Sequence, residues 1–199
     1  MIETRFEGIV IGHENWGDAD RLISFYTPHY GKIEAVAKGV RYEKSKLKGH
    51  LELLMHGQFM IVKRRGRGVI IDAISYGTFA ETQSCVEAAY MARAVASYFD
   101  AYIFPHAVDE DLWQLLHGTL EGLRRSNDTL KVFESFVRNF LRLLGYFDDL
   151  AQEQGATVPA AIPSLVERMR RYDALLAHTD IAGPGFFEVA RGLETIRFS

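Results

Sequence analysis

A single cysteine, Cys85, leaves this chain of 199 residues with no intramolecular disulfide and too few thiolates for a cysteine zinc cage. That usage suits a reducing compartment. No apolar run approaches the roughly 20 residues that cross a bilayer. "MIETRFEG" alternates acids with apolar residues, so no signal peptide is expected. Internal repeats and low-complexity tracts are missing, and so are GxSxG and HExxH. "RRGRG" lacks the lysine-serine end of a phosphate-binding loop. Cys85 sits just inside a helix start with no assignable base and reads as a small structural residue. His106 stands near Asp109, Glu110 and Asp111, but those acids answer the positive end of a helix, and no second histidine follows at ligand spacing. No catalytic constellation, metal or cofactor is therefore expected, and the protein reads as a soluble, cytoplasmic non-enzyme.

What the chain does have is unevenly placed charge. The composition is globular, 48% hydrophobic and 25% charged, with a net charge of −3. Residues 1–80 nevertheless hold 12 Lys/Arg against 9 Asp/Glu, whereas 81–199 hold 11 against 17. The excess concentrates in "KGVRYEKSKLKGH" (38–50), with Lys38, Arg41, Lys44, Lys46 and Lys48 against the single acid Glu43. A second cluster follows at Lys63, Arg64, Arg65 and Arg67. Such clusters focus a positive field whatever the whole chain sums to.

Hydrophobic periodicity divides the chain. Before residue 80 the pattern alternates, as in "RLISFYT" (21–27), where Leu22, Ser24 and Tyr26 oppose Ile23 and Phe25. Turn signals in "TPHYG" and "RRGRG" separate strands expected near 4–13, 20–27, 31–38, 52–64 and 68–77. Five short strands at this spacing suggest a small barrel, with the oligonucleotide-binding (OB) fold foremost. After Gly77 the period becomes helical. Ser84 and Glu87 form a capping box before Val86, Tyr90, Ala94, Tyr98 and Tyr102. A second helix opens at Asp109–Asp111, carries Leu112, Leu115, Leu116, Thr119 and Leu123, and closes on Arg124 and Arg125. A third runs from about Thr129 to Leu144 with Leu130, Phe133, Val137, Phe140, Leu141 and Leu144 on one face and Gly145 as its stop. Ser164 with Glu167 starts a fourth helix to about Leu176, 186–196 make a fifth, and 151–161 read as a linker. The fold class is α+β in two domains: a five-stranded OB barrel at 1–79 and a helical domain at 80–199.

Two readings compete for the basic segments. They are either solvated loops that keep the protein soluble, or arms that bind phosphate. Two clusters emerging from one barrel, with aromatics nearby, favour nucleic acid. Trp16 in "ENWGDAD" and Tyr42 are the candidates for base stacking. Trp16 either packs locally or meets a ligand, while Tyr26 and Phe59 read as barrel core rather than platform. A protein-only adaptor and an RNA-binding OB module stand as alternatives.

These residues also carry a resemblance. "GHENWGDADRLISFYTPHYGKIEAVAKGVRYEKSKLKGHL" (12–51), with its "DRL", "VAKG" and "R-x-x-KS-x-L-x-G" elements, resembles the start of the RecO family of bacterial recombination mediators. "FVRNFLRLLGY" (136–146) is similar to that family's later helix. The resemblance covers about 1–147. It implies an OB domain joined to helices, binding of single- and double-stranded DNA, annealing of complementary strands, and help in loading RecA onto strands coated by single-strand-binding protein (SSB). The implied partners are RecR and the acidic tail of SSB. By match to the basic motif, DNA contact falls on Lys38, Arg41, Lys44, Lys46 and Lys48. Asp20 and Arg21 match the strand motif and read as structural, because an arginine flanked by acids is more readily an ion-pair partner. An acidic, apolar tail calls for an apolar notch with a cationic rim, for which Arg138 and Arg142, with Arg124 and Arg125, are the candidates. Many members carry a four-cysteine zinc module after "LGY". "FDDLAQEQGATVPAA" has no cysteine, so the region either lost the metal with its loop or holds by packing alone.

Overall fold

The computed structural model describes residues 2–63, 66–80 and 86–145. The expected fourth and fifth helices, the linker at 151–161, Ser84 of the expected capping box and Cys85 lie outside them. Among the described residues, no helix is long and apolar enough to cross a membrane. The chain divides into two compact units, Met1–Val132 and Phe133–Ser199.

In the first unit five strands close on themselves: β1 (Ile2–Trp16), β2 (Asp20–Thr27), β3 (Gly31–Ala37), β4 (Met55–Lys63) and β5 (Gly68–Thr78). The barrel order is β1-β2-β3-β5-β4, with the last strand returning to β1. This is the five-stranded OB arrangement, and all-antiparallel pairing is broken only where β3 meets β5 in parallel, Ala35 beside Gly68 and Val36 beside Val69. β1 is longer than the expected 4–13 because it serves two partners. Its first half pairs with β4 and its second with β2, and Ile9 is matched to both His56 and Tyr26. A bulge between Val10 and Gly12 gives the bend this sharing requires. β4 begins at Met55 rather than 52, since residues 51–54 complete the connection from β3.

Phe6, Val10, Ile23, Phe25, Ile33, Phe59 and Ile70 fill the barrel. Phe25 and Phe59 lie 4.5 Å apart between ring centres, and Phe6 meets Phe25 edge-on at 5.4 Å. Phe59 and Tyr26 are both fully buried, but for different reasons. Phe59 points inward, whereas Tyr26 lies on the other face of β2, under α1 (Val86–Tyr102), with its ring 5.1 Å from Phe99. β2 therefore has no solvent face: Leu22, Ser24 and Tyr26 are as hidden as Ile23 and Phe25.

The clamp between helix and barrel is polar as well as apolar. Lys32 of β3, buried despite its charge, pairs with Asp100 Oδ1 at 2.8 Å and also donates to the Asp100 carbonyl. The His106 N–H donates to Lys32 O at 2.9 Å, extending β3 with the segment after α1. Tyr26 donates its hydroxyl to the carbonyls of Ala107 and Asp109, each at 3.4 Å. Burial, then the Asp109 charge, pushes that phenol well above its ordinary range. Gly31, at φ +62°, leaves room for the Ala107 carbonyl, which a Cβ there would strike.

α2 (Glu110–Arg125) starts as the sequence indicates. The Asp109 carboxylate accepts from the N–H groups of Asp111 and Leu112, capping the helix. Its buried face is Leu112, Trp113, Leu116, Thr119, Leu120 and Leu123; Leu115 is only half-buried. In α1 the buried stripe centres on Met91, Ala92, Val95 and Phe99, with Tyr90 and Tyr102 at its margins, because steps of four residues drift around a helix of 3.6 per turn. α2 meets the barrel through His117 and Trp113, whose rings lie 5.5 and 6.3 Å from that of His56. α3 (Thr129–Leu143) ends at Gly145, φ +78°, with Phe133, Phe136, Phe140 and Leu141 buried. Phe136 joins the expected stripe and stacks on Phe140 at 5.3 Å.

Candidate nucleic-acid interface

α1 lies on Tyr26 and Lys32 at the turn end of β2 and β3, and Leu22, Ser24 and Val36 farther along are buried too, so the strand surface that OB barrels commonly offer to nucleic acid is largely closed here.

Three connections gather at one edge of the barrel: the β1–β2 turn at 17–19, the start of the β3–β4 connection, and the β4–β5 hairpin. Gly39 donates its N–H to Asp20 Oδ1 at 2.7 Å, and the Arg41 N–H donates to Ala19 O at 3.0 Å. The Arg41 guanidinium donates to Asp18 O at 3.0 Å and more weakly to Gly17 O at 3.5 Å. Arg41 therefore braces the β1–β2 turn while staying exposed. From the hairpin, Arg67 lays its guanidinium over the Trp16 ring, 4.6 Å from its centre. Residues 51 positions apart in sequence thus join the two loops that flank the ligand site in OB barrels. No local pattern marks that pairing.

The rest of the β3–β4 connection is a string of tight turns, Ser45 N–H to Tyr42 O at 3.0 Å and His50 N–H to Leu47 O at 3.1 Å among them, ending in one 3-10 turn at Lys48–His50. Val40, Leu51 and Leu54 are buried, with Val40 and Leu51 in the barrel core and Leu47 packed against it. The His50 ring is 2.9 Å from the Ser75 hydroxyl of β5, and the Leu54 N–H donates to Val10 O at 2.9 Å. Apolar anchors at 40, 47 and 51 fix the backbone while Lys44, Lys46 and Lys48 between them stay exposed. The segment is an ordered surface, not a loose tether.

Lys38, Arg41, Lys44, Lys46, Lys48, Lys63 and Arg67 are all exposed, and none forms an ion pair with any described residue. Arg64 and Arg65 lie outside the described residues. Tyr42 is 66% exposed and Trp16 41%. Lys32, which contributes to the basic excess in sequence, is withdrawn into the clamp on α1. Arg21 behaves as a structural residue, but its partner is Glu52 at 3.3 Å rather than a flanking acid.

The four helical arginines differ among themselves. Arg124 holds Glu121 through two hydrogen bonds of 2.9 and 2.7 Å, and Arg125 pairs with the same carboxylate. The Arg124 hydrogen bonds hold Glu121 below the usual carboxylate range. Arg138 and Arg142 in α3 belong to the other compact unit and are exposed.

Residues 1–76 match the family described as Recombination protein O N terminal. The chain is 29% identical over 146 residues to the DNA repair protein RecO of Dehalococcoides mccartyi (strain CBDB1), covering 73% of this chain and 58% of that relative. It is 32% identical over 145 residues to the DNA repair protein RecO of Bifidobacterium longum (strain DJO10A), covering 71% and 61%. With the relative of the same description from Roseiflexus sp. (strain RS-1), identity is 28% over 142 residues, covering 71% and 50%. The match thus spans between 50% and 61% of these relatives' own length.

Proposed function

We propose, for a chain that belongs through its residues 1–76 to the Recombination protein O N-terminal family, a role in DNA repair and recombination in which the barrel's loops hold nucleic-acid backbones without reading sequence. The observation that carries the reading is the set of seven exposed cations at one edge of the barrel, beside β2 and β3 strands whose outward residues are largely buried. A cationic edge neutralises phosphates of any sequence. A conventional OB groove sequesters bases along its strands and so hinders pairing. With that groove largely closed, two bound strands have lower mutual repulsion and keep their Watson–Crick edges free. That combination favours annealing of complementary strands, and with it the mediator role of loading RecA onto SSB-coated DNA.

RecR and the acidic SSB tail are the protein partners in this reading. For the tail, Arg138 and Arg142 are the better candidates, since Arg124 and Arg125 are both engaged by Glu121. A DNA-binding barrel at 1–79, a helical domain at 80–199, a cytoplasmic, nucleoid-associated location and the absence of enzymatic chemistry complete the proposal.

A strand-annealing assay with and without SSB tests it. The full chain accelerates pairing of complementary oligonucleotides, and a Lys44→Glu, Lys46→Glu, Lys48→Glu variant does not, while its melting transition stays cooperative. Normal annealing by that variant at moderate salt would remove the arm from the site. Binding that is absent in the wild type, or indifferent to salt, points instead to a protein-only adaptor. Tighter binding of a matched RNA oligomer points to an RNA module.

A further inference from the structure

We infer that Trp16 and Arg67 form a subsite for one unpaired base and its neighbouring phosphate, which makes this edge of the barrel discriminate single strands from duplex. The inference rests on the nucleic-acid reading above and deepens it.

Trp16 closes β1 beside the β1–β2 turn, and 41% of the residue is open. What meets it is a guanidinium, Arg67, at 4.6 Å. An indole partly open to water and held by one cation is a poor choice for packing and a good one for exchange. An exposed cation–π contact is worth about 2- to 5-fold in equilibrium constant. A base stacked on an aromatic ring is worth about 5- to 150-fold. The base therefore wins the ring, and the displaced guanidinium gains a better partner in the adjoining phosphate. Gly17, at φ +65°, lets the chain turn sharply just after the ring. Arg41, bonded to the carbonyls of Gly17 and Asp18, keeps the turn from yielding as the base enters.

Duplex DNA cannot make this contact, because each of its bases already stacks on both faces. It keeps only the phosphate contacts to Lys38, Lys44, Lys46, Lys48 and Lys63. Trp16 thus supplies discrimination and the lysines supply affinity common to both forms. A base held by its flat face keeps its pairing edge exposed, so the subsite is compatible with annealing.

The test compares an oligothymidylate of about 16 nucleotides, the upper site size for one OB barrel, with relaxed circular duplex, which has no ends to stack. Trp16→Ala in the full chain is expected to weaken the single strand about tenfold, midway in the range for one lost stack. Duplex affinity and the salt slope stay unchanged, and unchanged duplex binding also shows that the barrel is intact. Trp16→Phe retains most of the preference. Arg67→Gln lowers the log–log salt slope for the single strand by about 0.7, one phosphate contact. Oligothymidylate alters the indole fluorescence of the wild type but not of Trp16→Phe, whose remaining signal comes from Trp113, buried against His56 and His117. Equal loss on both probes, or no loss on either, overturns the subsite and leaves the cationic edge standing. A wild type that binds neither probe overturns the nucleic-acid reading itself.

Discussion

Replacing Lys44, Lys46 and Lys48 together by glutamine removes three charges from the exposed arm while keeping the side chains polar and flexible. Of the seven exposed cations described, Arg41 is engaged by the carbonyls of the β1–β2 turn and Arg67 by the Trp16 ring, which leaves five free lysines. At about 0.7 per phosphate contact on a single strand, five contacts give a log–log salt slope of about −3.5. Raising salt from about 50 to 200 mM then costs the wild type about 130-fold in affinity. The variant, with Lys38 and Lys63 remaining, has a slope of about −1.4 and loses about 7-fold over the same range. Release of Arg67 from Trp16 on binding adds about 0.7 to both slopes and leaves their difference intact. Fluorescence anisotropy of a labelled oligonucleotide across a salt series measures this directly. Because the three side chains are exposed and make no described ion pair, folding stability should shift by no more than about 0.5 kcal/mol. A slope unchanged in the triple variant refutes the claim that these lysines lie on phosphates, whatever the absolute affinity.

Two further outcomes test the frame that positions the site. Lys32→Met leaves Asp100 without its cation, and since Asp100 retains access to water the cost is about 1–2 kcal/mol rather than the larger penalty of a fully buried orphan. Thermal melting should fall by about 3–6 °C, and adding Asp100→Asn should recover part of it. Stability should also decline as pH falls below the ordinary histidine value of 6.5, because burial first, and the nearby His56 second, lower the pKa of His117 in the fold. The unfolded chain then takes up the proton sooner, so the loss begins near the unfolded value and continues down to the lowered one. Glu7, bonded to His56 at 2.9 Å, and Glu121 oppose the effect, and the Tyr76 ring meets His56 edge-on. Urea midpoints for the wild type and His117→Leu, measured on either side of pH 6.5, decide the matter: the variant should be flatter, and identical profiles would dismiss His117 as the cause.

Most of the architecture was legible locally. Alternation in "RLISFYT" and "KIEAVA" needs only the pleat, and the change to helical spacing after Gly77 needs only the helix geometry. Asp109, Glu110 and Asp111 read as a helix start because acids suit its positive end, and the structure adds that the Asp109 carboxylate caps the free N–H groups beyond it. Gly145 reads as a stop because the left-handed turn suits glycine. The strand ends were less legible. β1 runs past Gly12 to Trp16 because it changes partners at Ile9, and partner choice is not a property of a strand alone.

The sequence by itself determined that there would be a β portion, then a helical portion, and that positive charge would crowd between β3 and β4 and at the next hairpin. Those are consequences of residue type and spacing along the chain. Only the tertiary structure decided which cations face water. Lys32 and Lys38 are six positions apart and chemically identical, yet one is clamped to Asp100 inside the fold and the other is exposed. It also decided that α1 would cover Tyr26 of β2, and that Arg67 would lie on Trp16. Burial and stacking depend on which surfaces meet after the chain has closed, and the barrel closes through contacts between segments far apart in sequence.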